Sequence, residues 1–258
     1  HFGRGIVATP DNFGATGSPP THPELLDWLA VEFVRDGWSA KRLHKRMMTS
    51  TVYRQISQRS PDATDPENQL LGRMTLRRLD AESLRDAVIS VSGQANYKLG
   101  GPPVMLKTTP AGLQTISSQE RRSVYLLARR SNPATFMRVF DYPVVDVNCT
   151  RRSSSATPLQ SLTMINSEFL TTSAGHLARR VESAAGNKAS LAEKIDAAYQ
   201  LTFSRNATPA EVTLSEKHIQ QLSKLYEDSG VKSEEASRQS FENLVHMLLC
   251  SNEFLYVD

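Results

Sequence analysis

Arginines are the residues of this sequence whose type and spacing most clearly suggest chemistry. The segment from Glu120 to Arg152 holds seven arginines and three acidic residues, an excess of +4 against +3 for the whole chain. Because the guanidinium group is planar, it can pair with two oxygens of one carboxylate, sulfate or phosphate. The segment therefore indicates an anion-binding cleft. The candidate ligand-binding residues are Arg77, Arg78, Arg121, Arg122, Arg129, Arg130, Arg151 and Arg152.

A structural network is the competing interpretation of these arginines, and we favour it. Successive side chains of a strand point to opposite faces, so Arg121 and Arg122 could not both enter one cleft if this segment is extended. Acidic residues could instead pair with the arginines and fix irregular backbone. The candidate structural acid partners are Asp80, Glu82, Asp86, Asp141 and Asp146.

The same acids leave a hydrolase or lyase acting on polysaccharide as an alternative. Glycoside hydrolysis needs two carboxylates roughly 5 to 10 Å apart across the scissile bond. Asp80 is explained more simply as the N-cap of a helix, and Glu82 as a first-turn acid that the helix dipole favours. The sequence therefore identifies no catalytic residue, and it leaves open whether the chain is an enzyme.

Metal and cofactor signatures are missing from the sequence. The six histidines form neither H-x-x-x-H nor H-E-x-x-H, and Cys149 and Cys250 define no metal or disulfide framework by their spacing. There is no C-x-x-C-H motif, so this portion is not expected to attach a c-type haem itself. We predict no metal and no cofactor in this portion, and a bridge between the two cysteines stays open.

Composition is typical of a globular protein, with 39% hydrophobic and 22% charged residues. No apolar run approaches the roughly 20 residues that span a bilayer, so no membrane span is predicted. A net charge of +3 is mild for a nucleic-acid binder, and we expect no nucleic-acid partner. The chain begins at His1 without an initiator methionine, which suggests a portion of a longer protein.

Helix-start patterns recur along the chain and predict a mainly α fold. Capping boxes are expected at Thr21 with Glu24, at Ser190 with Glu193, and at Thr208 with Glu211, because each pair has the spacing S/T-x-x-E. Ser39 and Asp80 are expected to cap two further helices. The expected fold is an irregular multi-helix domain with a minor β hairpin and a C-terminal helical subdomain.

Strands are expected to be few. Arg122 to Arg129 is the best strand candidate because it contains Val124 and Tyr125. Residues 94–118, rich in glycine and proline, predict a long loop. The predicted division is 1–186, an N-terminal helical part with long loops and a small β element, and 187–258, a C-terminal helical subdomain. One continuous domain is the alternative.

Several strings of the sequence resemble the C-terminal domain of large planctomycete cytochrome-c-linked proteins. These strings follow one another in order over nearly the whole chain, and that domain has no known function. The strings are His1–Val7 (HFGRGIV), Thr9–Gly14 (TPDNFG), Pro20–Ala30 (PTHPELLDWLA), Ser50–Gln55 (STVYRQ), Arg77–Glu82 (RRLDAE), Arg121–Tyr125 (RRSVY), Thr157–Gln160 (TPLQ) and Asn252–Leu255 (NEFL).

The resemblance implies an exported bacterial protein, periplasmic or at the cell surface, with helical and cytochrome-type domains upstream. It supplies no catalytic residues. The leading hypothesis is therefore a non-catalytic binding or interaction module, with an anionic glycan or an upstream domain as its partner. A polysaccharide-acting enzyme and a docking surface for a c-type cytochrome domain remain the alternatives.

Overall fold

The fold is mainly α-helical, as predicted. It is seen in a computed structural model that describes residues 1–57, 64–116, 120–129, 132–143, 149, 152, 154–186 and 188–257. Its helices are α1 Pro23–Arg35, α2 Ala40–Met48, α3 Ala81–Val91, α4 Thr135–Val139, α5 Pro158–Asn166, α6 Glu168–Ala185, α7 Leu191–Phe203, α8 Pro209–Asp228, α9 Ser233–Leu249 and α10 Asn252–Leu255. The strands are β1 Arg77–Arg78, β2 Leu106–Thr108, β3 Gln114–Ile116 and β4 Tyr256–Val257, and a 3₁₀ helix spans Ser123–Tyr125.

The chain forms two compact units. The first consists of residues 1–78 with the C-terminal end from Tyr256, and the second is Leu79–Leu255. The sequence-based division between residues 186 and 187 stays a prediction. Residue 187 lies outside the described residues, and the hydrophobic core of the second unit contains side chains from both sides of it.

The first unit contains α1, α2 and an antiparallel pair of β1 with β4, in which Arg77 lies opposite Val257. Ser39 caps α2 as predicted, because its hydroxyl accepts the Arg42 N–H. The capping box predicted at Thr21 is wrong. His22 is the N-cap of α1, and the Thr21 hydroxyl donates instead to the carbonyl of Ile6 at 3.2 Å.

Helices α3, α6, α7 and α9 enclose the core of the second unit. Apolar residues at helical spacing put one stripe of each helix inside, so Leu84, Leu177, Ile195 and Val245 are fully buried. The capping boxes predicted at the starts of α7 and α8 are both confirmed. No described helix of the chain combines the length and apolar composition that a membrane span requires.

The predicted minor hairpin exists, but its place in the sequence was predicted wrongly. Strands β2 and β3 pair antiparallel within residues 94–118, the segment expected to be a loop. The strand expected over Arg122–Arg129 is instead a 3₁₀ turn at Ser123–Tyr125. The reason is tertiary, since the Asp86 carboxylate accepts the Ser123 N–H at 2.7 Å and fixes the start of that turn.

Candidate functional site

Arg85 is the largest fully buried side chain of the described chain, with 1% of it exposed. Its position on α3 is one turn after Ala81 and one turn before Ile89, both buried, so the helix directs the arginine into the core. A buried cation is costly unless it is paired and hydrogen-bonded. Arg85 therefore needs partners that compensate its charge inside the second unit.

Two kinds of partner compensate the charge of Arg85. Its Nη2 donates to Glu120 Oε2 at 2.8 Å, and Asp86 Oδ1 lies 3.7 Å from Nη1. Its Nη1 also donates to the backbone carbonyl of Arg121 at 2.7 Å. Burial lowers the pKa of Arg85, while Glu120 and Asp86 oppose that shift. The ion pair thus joins α3 to the segment that begins at Glu120.

Asp86 lies on the next position of α3 and holds the 3₁₀ turn. Its Oδ1 accepts hydrogen bonds from both the backbone N–H and the hydroxyl of Ser123, each at 2.7 Å. Arg122 approaches the other carboxylate oxygen with its Nε at 3.6 Å, and its side chain stays 53% exposed. Asp86 therefore fixes backbone, with Arg122 as an exposed neighbour.

Arg121 is buried, but its guanidinium contacts backbone carbonyls and no carboxylate among the described residues. Nη1 donates to Pro102 at 3.0 Å, and Nη2 donates to Lys98 at 3.0 Å and to Gly100. The guanidinium also lies over the ring of Tyr125, 4.0 Å from its centroid. Arg121 thus holds the loop of residues 96–105, which we call the braced loop.

The braced loop borders a cavity of about 540 Å³. Its lining combines Asn96, Lys98, the Gly100–Val104 segment, Met105 and Arg121. Pro102 and Pro103 restrict the loop backbone, because each ring fixes φ near −65°. The cavity thus has a wall of restricted backbone and two cationic residues.

Arg152 pairs with two of the candidate acids on the surface. Its Nη1 and Nη2 donate to the two oxygens of Glu82 at 2.7 and 2.9 Å, and Asp80 Oδ2 lies 3.3 Å from Nη1. The hydrogen bond to Glu82 is the main cause of the raised pKa of Arg152. Asp80 also caps α3 by accepting the Ser83 N–H at 2.8 Å.

Asp141 holds irregular backbone, as Asp86 does. It accepts the N–H of Ser155 at 2.8 Å and the hydroxyl of the same residue, and Gln160 approaches it at 3.4 Å. Asp141 itself adopts a left-handed φ of 63°, which its short polar side chain tolerates better than most. Its interactions fix the chain leading into α5.

The remaining predicted residues do not join this site. Arg77 and Arg78 form β1 in the first unit, and Arg129 is exposed and forms no ion pair with a described residue. Arg130, Arg151 and Asp146 lie outside the described residues. Of the eight candidate arginines, only Arg121 and Arg122 therefore lie at the Glu120–Tyr125 segment.

Sequence reasoning missed Arg85, Glu120 and Lys98. Arg85 could have been found, because it falls on the same helical stripe as the apolar residues Ala81 and Ile89. An arginine on an apolar stripe indicates a buried ion pair. Nothing in the local pattern of Lys98 distinguishes it from a solvated lysine, since only the folded loop brings it beside Arg121.

Cysteine and metal chemistry gain no support from the described residues. Cys250 donates its thiol to the Met164 carbonyl at 3.4 Å, and burial raises its pKa to about 11, so it is a poor nucleophile. No disulfide joins Cys149 to Cys250. Within the described ranges, no three His, Cys, Asp or Glu side chains are grouped as metal ligands.

A protein-family model matches most of this chain, including the site residues. The family model PSD1, described as "Protein of unknown function (DUF1553)", matches residues 1–219 and so covers Arg85, Arg121 and the braced loop. No curated protein and no solved structure matches the chain. The chain therefore belongs to the PSD1 family of proteins of unknown function, DUF1553.

Proposed function

We propose that this chain is a non-catalytic binding module of an exported multidomain protein and that it binds an anionic glycan. The observation that carries the proposal is a set of exposed cations in the second unit. Lys98, Lys107, Arg129 and Arg138 are exposed, and none forms an ion pair with a described residue. Sulfate and carboxylate groups of a glycan would supply the missing counter-charges.

The state of the acidic residues disfavours the hydrolase alternative. Asp80 caps a helix, Glu82 pairs with Arg152, and Asp86 and Asp141 hold backbone N–H groups. A general acid or base must instead reach a substrate proton within about 3 Å. The four described candidates are thus committed to the fold, and the proposal needs none of them as a catalyst.

Docking of a neighbouring protein domain is the second candidate function. Helix α5 buries Gln160 and Met164, whereas Leu159, Leu162 and Ile165 on its opposite side are each more than half exposed. Such a group of exposed apolar side chains on one side of a helix favours contact with a protein partner. An upstream helical or cytochrome-type domain is the partner we propose. Co-purification of this chain with that domain, and its loss in Leu162→Glu, would test the docking function.

Calorimetric titration with sulfated and uronic-acid oligosaccharides tests glycan binding. We expect binding that weakens with salt, because dissolved ions screen the attraction between exposed charges. The triple variant Lys107→Gln, Arg129→Gln, Arg138→Gln should bind more weakly. The matched control Lys188→Gln, Lys217→Gln, Lys224→Gln loses the same charge elsewhere and should bind as the unaltered chain does. Equal weakening in both variants, or no binding across the panel, would overturn the glycan proposal.

A further inference from the structure

Among its described residues, the second unit buries two arginines, Arg85 and Arg121, in different electrostatic surroundings. Arg85 has Glu120 and Asp86 beside it, whereas Arg121, only 4% exposed, has no carboxylate partner among the described residues. Its guanidinium contacts carbonyl dipoles and the Tyr125 ring, and its Nε is buried without a hydrogen bond to a described residue. Transferring a charge from water is costly unless a counter-charge accompanies it. The positive charge of Arg121 is therefore left without a carboxylate counterpart.

A second cation lies on the same cavity. Lys98 lines it together with Arg121, and the Lys98 ammonium forms no ion pair with a described residue. Both cations border the same concave surface, and a cleft lined by charges of one sign raises the local concentration of counter-ions. An anion in the cavity would lower the electrostatic energy of both residues.

Two glycines of the braced loop also line the cavity. Gly100 and Gly101 have φ of +69° and +86°, and a Cβ added to either would meet no atom within 4 Å. The Gly101 N–H has no hydrogen-bond partner among the described residues. Glycine adopts positive φ readily and lets a ligand approach the main chain closely. The open glycine pair thus adds an unused N–H donor to the two cations.

We propose that the cavity beside Arg121 is a subsite for a single oxyanion group, a sulfate ester or a carboxylate. Lys98 and the Gly101 N–H bind the group directly, and Arg121 attracts it while holding the loop in shape. The apolar wall of Pro102, Pro103 and Met105 suits the uncharged body that carries the group. This inference rests on the proposed function, because the group that binds here is taken to be the one anionic substituent of a glycan residue.

Inorganic sulfate provides a test that does not depend on any glycan. We would titrate the full chain with sodium sulfate at constant ionic strength and follow the amide resonances by NMR. The Gly100 and Gly101 amides should shift and saturate, and Lys98→Gln should weaken the binding about tenfold, as loss of one charge-assisted hydrogen bond implies. Lys217→Gln is the matched control, because Lys217 is exposed on α8 and does not line the cavity.

The outcomes separate this subsite from glycan binding in general. Saturable sulfate binding that Lys98→Gln weakens and Lys217→Gln leaves unchanged supports the subsite, even if no glycan binds. Shifts that do not saturate, or that are equal in the two variants, overturn it. Glycan binding that survives in Lys98→Gln while the triple variant loses it also overturns the subsite and leaves the proposed function standing. A glycan with a free carboxylate and its methyl ester distinguish the two sources of the oxyanion.

Discussion

Arg85 donates a hydrogen bond from Nη1 to the backbone carbonyl of Arg121 at 2.7 Å, so the two buried arginines of the second unit are directly linked. Arg85 carries the ion pair to Glu120, and Arg121 in turn holds the braced loop through three carbonyls. A continuous series of hydrogen bonds therefore runs from the core-facing side of α3 to the wall of the cavity. Changes in the core should reach the proposed binding site by this route.

Arg85→Met should lower the free energy of unfolding by about 3 to 5 kcal/mol, because it leaves the half-buried Glu120 without its partner. The measurement is urea unfolding followed by circular dichroism. In a double-mutant cycle, the added change Glu120→Gln should restore part of the loss, since the uncompensated charge is then gone. Additive losses in the double variant would contradict a coupled pair.

Arg121→Lys keeps the charge but should loosen the braced loop, because one ammonium cannot reproduce the flat guanidinium geometry that reaches three carbonyls. We expect a loss of about 2 kcal/mol of stability. Hydrogen exchange at Val104 should accelerate, because its N–H bonds the Tyr125 carbonyl at the end of the loop. Unchanged exchange at Val104, with normal exchange at Leu177 as the internal reference, would count against this role of Arg121.

Arg152→Ala should cost less than about 1 kcal/mol, in contrast to Arg85→Met, because the ion pair of Arg152 is exposed to water. Its side chain is 46% exposed, and that of its partner Glu82 is 25% exposed. Parallel urea unfolding of the two variants makes the comparison. If Arg152→Ala lowered the free energy of unfolding as much as Arg85→Met, exposure to water would not determine which ion pair contributes more to stability.

Acid should weaken the ion pair between Glu211 on α8 and Arg205 in the loop that precedes this helix. Hydrogen bonds from Arg205 are the main cause that lowers the Glu211 pKa to about 2, below its ordinary value of 4.5. Since the folded state binds the proton less readily, this stabilisation is present above about pH 4.5 and is lost as the pH falls toward 2. Because the side chain is 29% exposed, we expect about 1 to 2 kcal/mol after solvent screening.

Measuring the free energy of unfolding as a function of pH tests this role of Glu211. Glu211→Gln should lose stability at pH 7 and differ little from the unaltered chain near pH 2. The control Glu216→Gln lies on the same helix α8 and removes a carboxylate that forms no ion pair with a described residue. An equal pH profile for the two variants would refute the role of Glu211.

Helix starts could be predicted wherever the bonding groups are neighbours in sequence. Ser190 with Glu193 and Thr208 with Glu211 cap their helices within a single turn, so the pattern already contains both partners. Thr21 shows the limit of this reasoning. Its sequence has the same pattern, but the carbonyl of Ile6, fifteen residues earlier, takes its hydroxyl instead.

The sequence predicted that arginines would form the candidate site, but it identified only some of the residues that lie there. The arginine excess was found over Glu120–Arg152, a stretch that begins with Arg121 and Arg122. Adjacent residues nevertheless have opposite environments, since Arg121 is buried and the Arg122 side chain is 53% exposed. Their charges and neighbours in sequence are alike, so local pattern could not separate them.

The sequence by itself determined the mainly α class and several helix starts, because these depend on spacing over a few residues, and it also determined the family to which the chain belongs. Only the tertiary structure decided which charges are buried. Arg85 and Glu120 are 35 residues apart, and Arg121 reaches the Lys98 carbonyl across 23 residues. Such partners meet only after the core has packed, and the energy of a charge depends on the water and counter-charges that packing leaves around it.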